Sequence, residues 1–216
     1  MGMLRADSNA AEEAARWLAW ADKDYISARV LLLRDLLVQG TTLSNTAVEK
    51  YFKTVCLLAN AVFPRVHEVS KLAGIVRSAG VNLNLNQGYL SLMSKAYKLR
   101  YPDDLKPGYN IVLSQPKLLT ELDFTAFEIR KGFGFQRSSG KQVQTYFDNL
   151  IARQDSALLD LNIAFSQARR DEVFGEKNKC YELRILPNGT CMEAEYATTG
   201  IVDDRKFDEV GLKPSP

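Results

Sequence analysis

Apolar side chains recur every three or four residues along most of this chain, which is the spacing of one face of an α-helix. In the first run, which spans residues 9–40, the apolar positions are Ala14, Trp17, Ala21, Tyr25, Ala28 and Leu32. Asn9, with Glu12 three residues later, resembles a capping box at a helix start, and Gly40 offers an end. Because such a chain folds by packing apolar helix faces together, the sequence predicts a helical bundle.

The second predicted helix begins at Thr41 or Thr42, either of which can cap it, and it cannot continue past Pro64. Its apolar positions are Val48, Tyr51, Val55, Leu58 and Val62. Since the connection between the first two helices is short, we expect them to pair as an antiparallel hairpin.

Three shorter helices follow. The third is predicted to end at Gly80, and the fourth near Arg100, because Pro102 disfavours the α conformation at the residue before it. The fifth is predicted to start at Ser114 and Pro116. The apolar positions of these three helices are Val69, Leu72, Val76 and Ala79; Leu90, Met93 and Tyr97; and Leu119, Leu122, Ala126, Ile129 and Phe133.

The last third of the chain holds a long helical run and then an alternating pattern. A sixth helix is predicted from about Lys141 to Arg170, and its length makes it a candidate surface for a second subunit. Its apolar positions are Val143, Phe147, Ile151, Leu158, Leu161 and Phe165. Apolar residues then alternate with others on both sides of Asn188-Gly189, which is typical of a β-hairpin. Since an isolated hairpin is only marginally stable, this one must lie on the helices or join another sheet.

The predicted fold class is therefore all-α, an up-and-down bundle of five to six helices with a C-terminal β-hairpin appendage. We expect the bundle to occupy residues 1–175, and the hairpin extension and tail to occupy residues 176–216. The chain has 216 residues, of which 46% are hydrophobic, so it can bury a sizeable core.

Cysteine usage and hydropathy suggest a location. Cys56, Cys180 and Cys191 are far apart, odd in number and without CxxC spacing, so the sequence predicts neither a disulfide framework nor a zinc site. No apolar stretch is long enough to span a bilayer, and "MGMLRADSNAAEEAA" lacks the apolar region of a signal peptide. We expect a cytoplasmic protein that does not bind membranes.

The net charge is only +2, but the middle of the chain is basic. Residues 65–106 hold seven Lys or Arg side chains against three Asp or Glu, an excess that can favour phosphate-bearing ligands. Solvated helix faces carry as much charge, so this feature is weak evidence for nucleic acid.

Several kinds of site are excluded by their missing residues. His67 is the only histidine, which rules out multi-histidine metal sites, and neither a GxSxG turn nor a GxxxxGK[ST] phosphate loop is present. The glycine-rich segment "KGFGFQRSSG" follows a helix rather than a strand, unlike a dinucleotide-binding turn. We therefore expect no metal, no cofactor and no catalytic residue of these classes.

Four segments in order carry a family resemblance. They are "WLAWADKDYISARVLLL", "NTAVEKYFKTVCLLAN", "RVHEVSKLAGIV" and "YLSLMSKAYKLRYPDD". The second contains an Ala-x-Glu-Lys-x-x-Lys motif ending at Lys53, the third contains His67, and the fourth ends in an Arg-Tyr-Pro-Asp run that starts at Arg100. Over about residues 11–135, the chain resembles the HEPN family of small helical domains.

The resemblance implies a homodimeric helical domain that binds a nucleotide or nucleic acid. Many HEPN domains belong to toxin-antitoxin systems as ribonucleases, and others accompany a nucleotidyltransferase partner. The ribonuclease branch has an arginine with four to six residues between it and a histidine. Here that arginine would fall at Asn60, Ala61 or Val62, and none of these is basic. We therefore expect a non-catalytic binding module, with a divergent ribonuclease or a protein-interaction module without nucleotide as alternatives.

Helix 2 and helix 4 of the resembling fold both present cationic side chains, so we expect one basic cleft there. The predicted phosphate-binding residues are Lys50, Lys53 and Arg100, and the possible supporting residues are Glu49, His67, Tyr101, Asp103 and Asp104.

Each of these residues also has a structural interpretation. Glu49 and Lys53 can form an i,i+4 ion pair, and His67 can cap or pack the third helix. Arg100 can pair with a following aspartate and hold the exit of helix 4 against the bundle.

Overall fold

The computed structural model describes residues 8–62, 65–131, 142–166 and 178–198. Its helices are α1 (Ser8–Leu33), α2 (Leu37–Leu58), α3 (Val69–Ser78), α4 (Gln87–Ala96), α5 (Gln115–Arg130), α6 (Tyr146–Ala152) and α7 (Ser156–Leu159). Its strands are β1 (Asn110–Ser114), β2 (Asn178–Ile185) and β3 (Cys191–Thr198). The predicted fold class is confirmed: the protein is mostly helical and carries a small C-terminal β-hairpin.

The helices α1 and α2 form the predicted antiparallel hairpin, but the turn lies earlier than predicted. The turn is made at Asp35, whose φ of 62° is left-handed, and α2 already begins at Leu37. Gly40 is therefore inside α2, where a Cβ atom would lie 2.7 Å from the Leu32 side chain. The glycine allows the two helices to approach closely, so its prediction as a helix stop was wrong.

The predicted ends of the hairpin need two further corrections. Asn9 lies within α1 rather than in front of it, so it does not cap this helix. Thr41 and Thr42 both lie inside α2, so neither caps it. Their hydroxyls donate to the carbonyls of Leu37 and Val38 at 2.6 and 2.9 Å, as mid-helix threonines do. At the other end, α2 stops at Leu58 and Asn60 takes a left-handed φ of 51°, so Val62 lies beyond the helix and is 94% exposed.

The next two helices match the predictions closely. The helix α3 buries Val69, Leu72 and Val76 and ends just before Gly80. The helix α4 passes into a 3-10 turn, Tyr97–Arg100, and a second short 3-10 turn, Pro102–Asp104, follows. The chain thus leaves the α conformation before Pro102, as its ring requires.

The fifth helix begins as predicted, with Ser114 as its N-cap residue and Pro116 in its first turn. Its buried face packs on α1 and α2 and includes Leu119, Leu122, Ala126 and Ile129. Phe133 lies outside the described residues.

The predicted long sixth helix is not formed within the described residues 142–166, and its predicted ends at Lys141 and Arg170 lie outside the described residues. Residues 146–159 form two short helices, α6 and α7, separated by Gln154 with a left-handed φ of 53°. Thr145 caps α6 through a reciprocal capping box with Asp148, and Asp155 caps α7 by accepting from the Ala157 amide. These local side-chain hydrogen bonds start two separate helices. The prediction of one helix used only the seven-residue spacing of apolar residues, which carries no information about such caps.

The predicted hairpin of β2 and β3 is confirmed, and Gly189 in its turn has a left-handed φ of 82°. The strand β2 also pairs antiparallel with β1, so that the described sheet has the order β1-β2-β3. The strand β1 was not predicted. The apolar side chains of β2 that join the main core are Tyr181, Leu183 and Ile185. The hairpin therefore lies on the helices and joins a strand between α4 and α5, whereas the predicted domain boundary at residues 175 and 176 lies outside the described residues.

Within the described ranges, no helix is both long enough and apolar enough to cross a membrane.

Candidate functional site

The centre of the predicted site lies on α2. The Nζ atom of Lys53 is 2.6 Å from Oε1 of Glu49, one turn earlier, so the predicted i,i+4 ion pair is present. Both side chains are largely buried, and the Lys53 ammonium also lies 5.1 Å from the centre of the Trp17 ring. Lys53 therefore already has an anionic and an aromatic partner, both within the protein.

The loop before α3 brings His67 onto the same carboxylate. The Nδ1 atom of His67 lies 3.0 Å from Oε1 of Glu49, to which it donates. The imidazole also stacks on the Tyr97 ring, with ring centres 5.7 Å apart and planes 8° from parallel. Its side chain is 54% exposed. Glu49 and Tyr97 thus hold a solvent-accessible imidazole in a defined orientation.

Arg100 lies at the end of the 3-10 turn that extends α4, and it reaches back to α2. Its Nη2 atom donates to the Asn45 side-chain oxygen at 3.0 Å and to the Thr46 hydroxyl. Asn45 is itself oriented by donating to the Met93 carbonyl at 2.8 Å. In the described part of the chain, no carboxylate pairs with the Arg100 guanidinium, which also lies 4.9 Å from the centre of the Tyr97 ring.

The remaining predicted residues are less closely connected. Lys50 turns towards α1, where its Nζ atom is 2.6 Å from the Asp24 carboxylate. Tyr101 packs edge-on against Tyr97 with ring centres 6.1 Å apart and is half exposed. Asp103 and Asp104 lie exposed on the short turn beyond it, and no ion pair joins either of them to Arg100 among the described residues.

The structure therefore brings together five of the eight predicted residues through direct contacts and one added residue, Tyr97. The joined residues are Glu49, Lys53, His67, Arg100 and Tyr101. We call this group, with Tyr97, the α2–α4 cluster. Sequence analysis placed Tyr97 on the apolar face of a helix and missed its role as the ring that joins His67 to Arg100. Thr46 was also missed, although it precedes Glu49 and Lys53 by three and seven residues and so shares their helix face.

A groove of about 590 Å³ opens beside this cluster. One wall consists of Val66, His67 and Glu68, and the other of Ser94, Lys95, Tyr97 and Lys98. Burial and the neighbouring Tyr101 phenol raise the pKa of Tyr97, so its hydroxyl stays neutral at physiological pH. The groove thus combines an aromatic surface with two basic side chains.

A second polar group lies deep in the bundle, and we call it the buried network. Its first half is an ion pair between Arg29 of α1 and Asp123 of α5, in which both side chains are 0% exposed. The Tyr25 hydroxyl donates to the same carboxylate at 2.8 Å, and the Arg29 Nε donates to the Ala157 carbonyl at 2.9 Å. Burial raises the pKa of Asp123 to about 6, against the lowering effect of Arg29.

The other half of the buried network surrounds Asp22. Its Oδ1 atom accepts from the Tyr51 hydroxyl at 2.8 Å and from Arg130 at the end of α5. Arg130 also donates to the Thr145 hydroxyl at 2.8 Å, which ties α5 to the start of α6. Burial raises the pKa of Asp22, although Arg130 and Tyr51 act in the lowering direction. The buried network therefore joins α1, α2, α5, α6 and α7.

The family model of the HEPN domain matches residues 14–123, about half of the chain. The matched range runs from α1 to the Asp123 position in α5 and contains the whole α2–α4 cluster. No curated protein and no solved structure matches the chain. Across the residues that the structure describes, no group of three His, Cys, Asp or Glu side chains could hold a metal ion.

Proposed function

The chain belongs to the HEPN family, and on that premise we propose that it is a non-catalytic module that binds a nucleotide or nucleic acid at the α2–α4 cluster. In this proposal Arg100 makes the main phosphate contact. Homodimerisation and association with a nucleotidyltransferase stay predictions. Within the described residues 142–166, two short helices replace the long helix that was a candidate surface for a second subunit. Light scattering at micromolar concentration tests the dimer.

The proposal depends on which of the three predicted cations already has a carboxylate partner. Lys50 and Lys53 each have a carboxylate at 2.6 Å, so an incoming phosphate must displace Asp24 or Glu49 to reach them. Arg100 donates only to neutral oxygens within the described residues. A guanidinium whose charge is uncompensated can donate two parallel hydrogen bonds to a phosphate without losing an ion pair.

Calorimetric titration with adenine and guanine nucleotides tests this proposal. We expect wild-type protein to bind at least one of them, and Arg100→Ala to lower the affinity by about tenfold or more, since a charge-assisted hydrogen bond contributes ~1.5–3 kcal/mol. Lys106→Ala is the matched control, because Lys106 is an exposed cation on the nearby turn and contacts neither the groove nor the cluster. Equal losses of nucleotide affinity in the two variants would show that binding depends on general positive charge rather than on a specific contact with Arg100. No binding by wild-type protein would contradict the proposal.

A divergent ribonuclease is the second candidate, and the contact between Glu49 and His67 favours it. A carboxylate that holds one imidazole nitrogen orients the other for general acid or base catalysis, and this arrangement is present at 3.0 Å. The arginine that accompanies the histidine in the ribonuclease branch is absent from residues 60–62, however. We therefore expect no RNA cleavage that depends on His67. Cleavage by wild-type protein that is lost in His67→Ala would reverse the order of the two candidates.

A further inference from the structure

A line of exposed side chains runs along the outer face of α1. Its members lie four and three residues apart in alternation, which is the spacing of the contact positions in a coiled coil. They are Arg16, Trp20, Lys23, Ser27, Val30 and Arg34. The Arg34 amide donates to the Val30 carbonyl at 3.2 Å, so the helical turn extends to Arg34. At ~1.5 Å per residue the line is about 27 Å long, enough to contact several turns of a partner helix.

The line combines exposed apolar groups with cations. Trp20 is 51% exposed and Val30 is 41% exposed. The Trp20 ring packs edge-on against Trp17, with ring centres 5.7 Å apart, which orients it on the helix surface. Within the described residues, no carboxylate pairs with any of the three cations of the line. The outer face of α1 therefore offers both apolar contact area and positive charge that the fold does not match.

The carboxylates of α1 do not neutralise these cations. Asp24 is paired with Lys50 at 2.6 Å, and Asp22 is fully buried. Glu12 and Glu13 are exposed, but they lie in the first two turns of α1, before the line begins. Between residues 16 and 34, the exposed charged side chains are thus all positive.

A second groove, of about 530 Å³, opens between α1 and the region of α7 where this line ends. Val30 and Leu33 line it on α1, and Ala157 and Leu161 line it on the other side. Leu161 is 76% exposed, the largest exposed fraction of any apolar residue that lines this groove. The groove therefore provides a place where an apolar side chain of a partner can be buried.

The buried network holds Leu161 in place at this groove. The Asp160 carbonyl accepts from Arg29, and the Asn162 side chain donates to the Tyr25 hydroxyl at 2.9 Å. Between these two anchors, Leu161 has a left-handed φ of 52°, which glycine and asparagine adopt more readily than leucine. The anchors explain the turn, but they do not explain an exposed leucine at it. An apolar contact with a partner does.

We propose that the exposed line on α1 and Leu161 form a docking surface for an acidic amphipathic helix of a partner protein. The apolar face of that helix lies on Trp20 and Val30 and inserts a side chain into the second groove beside Leu161. Acidic residues that flank this apolar face pair with the three cations of the line. The inference goes beyond the proposed function, because no residue of this surface belongs to the α2–α4 cluster.

The charges favour this partner over two others. A second copy of the chain would bring the same three cations face to face, which is unfavourable. A nucleic acid would match the cations, but it has no apolar side chain to place in the groove. Asp160, which is exposed and also lines the groove, repels phosphate.

Calorimetric titration of the intact protein with two designed helical peptides tests the inference. Both peptides contain about three heptads, with leucine and alanine at the a and d positions. One carries glutamate at every e and g position and the other carries lysine, and repulsion of like charges keeps each peptide from self-association. We expect the glutamate peptide to bind with a Kd on the order of micromolar and the lysine peptide to bind at least about tenfold more weakly. Added salt should reduce this difference.

Substitutions show where the glutamate peptide binds. Lys23→Glu and Trp20→Ser should each weaken its binding about tenfold, from charge reversal and from loss of the central aromatic contact. Leu161→Asn should weaken it severalfold and keep the fold, because asparagine suits the left-handed conformation. The matched controls are Lys106→Glu, at an exposed cation before β1, and Val62→Asn, at a 94% exposed residue beyond α2. Neither control should change the affinity, and circular dichroism checks the fold of each variant.

The possible failures are distinguishable. Absence of glutamate-peptide binding, equal affinity for the two peptides, or equal losses in the surface and control variants overturns the inference. If Lys23→Glu and Trp20→Ser instead weaken binding of a short single-stranded RNA as much as Arg100→Ala does, the surface belongs to nucleic acid and the inference is also wrong. The proposed function is judged separately, by nucleotide binding and its loss in Arg100→Ala, so either proposal can fail without the other.

Discussion

Arg29 and Arg100 show how differently one residue type can be used in the same bundle. Arg29 is fully buried, its charge is matched by Asp123, and its other N–H groups donate to the carbonyls of Ala157 and Asp160. Arg100 is partly exposed, and within the described residues it donates to a hydroxyl, an amide oxygen and a backbone carbonyl but to no carboxylate. The first arginine is satisfied by the fold, whereas the second keeps a positive charge that a ligand can neutralise.

The same contrast holds for the surroundings of the two arginines. The buried network joins helices that are far apart in the chain, and its two ion pairs connect residues 94 and 108 positions apart in sequence. The α2–α4 cluster is local to one edge of the bundle and lies beside an open groove. For the two arginines, burial with a matched carboxylate therefore indicates a structural role, and partial exposure without one marks the candidate site.

Removal of Arg29 should cause the largest loss of stability, and it tests whether this arginine has a structural role that Arg100 lacks. Arg29→Met should lower the free energy of unfolding by about 3–5 kcal/mol, because it leaves the Asp123 carboxylate buried without its cation. Arg100→Met should lower it by only about 1 kcal/mol, from the loss of hydrogen bonds to neutral groups. Urea denaturation followed by circular dichroism measures both values. Arg16→Ala on the exposed side of α1 serves as the control, and equal losses at Arg29 and Arg100 would remove the contrast.

The replacement of Arg100 by lysine keeps the positive charge and tests whether the guanidinium geometry matters for phosphate binding. Arg100→Lys should weaken nucleotide binding by about tenfold, or ~1.4 kcal/mol, because an ammonium cannot hold two phosphate oxygens in the fixed geometry of a guanidinium. Added salt should weaken binding in wild type and variant, since Arg100 is partly exposed to solvent. Calorimetric titration at two salt concentrations gives both effects. An Arg100→Lys affinity equal to that of wild type would reduce the role of Arg100 to its charge.

The pH dependence of stability tests whether ionisation of the buried Asp22 carboxylate destabilises the folded protein. Because burial raises the pKa of Asp22 above its ordinary value of 3.8, the folded state binds a proton more readily than the unfolded state just above pH 4. The stability that Asp22 contributes is thus greatest at low pH and falls as the pH rises through its folded pKa. Asp22→Asn mimics the protonated form and should lack this fall.

The measurement is the unfolding free energy of wild type and Asp22→Asn between pH 4 and pH 7. The difference, wild type minus variant, should decrease as the pH rises. A difference that grows with pH would show that Arg130 and Tyr51 dominate over burial at this carboxylate.

Substitution of Lys50 should have the smallest effect on stability and nucleotide affinity. It tests whether a predicted cation that already has a carboxylate partner matters less for binding than Arg100. Its ion pair with Asp24 is partly exposed, and such pairs contribute about 0.2–1 kcal/mol. Lys50→Met should therefore lower stability by less than about 1 kcal/mol and nucleotide affinity by much less than Arg100→Met does. Titration and denaturation of the two variants side by side check this order. A larger loss of affinity at Lys50 would move the phosphate position towards α1.

The sequence could predict the helices that are governed by local signals. The periodicity of α2, α3 and α5 and the proline after Arg100 act within a few residues, so these elements were found. Gly40 was misread because its function is to allow contact with Leu32, eight residues earlier on another helix. The strand β1 was missed because its pairing partner, β2, lies about seventy residues later in the chain.

The same limit applies to the candidate site. The motif residues Glu49, Lys53, His67 and Arg100 could be named from the sequence, but their partners could not. The buried network did leave a signal, because Asp22 and Arg29 lie beside the apolar positions Ala21 and Ala28 on the face of α1 that packs on the bundle. A charged residue at such a position requires a buried partner, but only the fold identifies that partner as Asp123 or Arg130.

A nuclear magnetic resonance titration of the arginine side chains tests the central contrast most directly, because it observes both regions in the unmodified protein. The Nε–Hε signals of Arg29, Arg100 and Arg130 can be assigned by single substitution and followed while a nucleotide is added. The account predicts a saturable shift of the Arg100 signal, with the Arg29 and Arg130 signals unchanged. An Arg100 signal that stays in place while other resonances shift to saturation would contradict it.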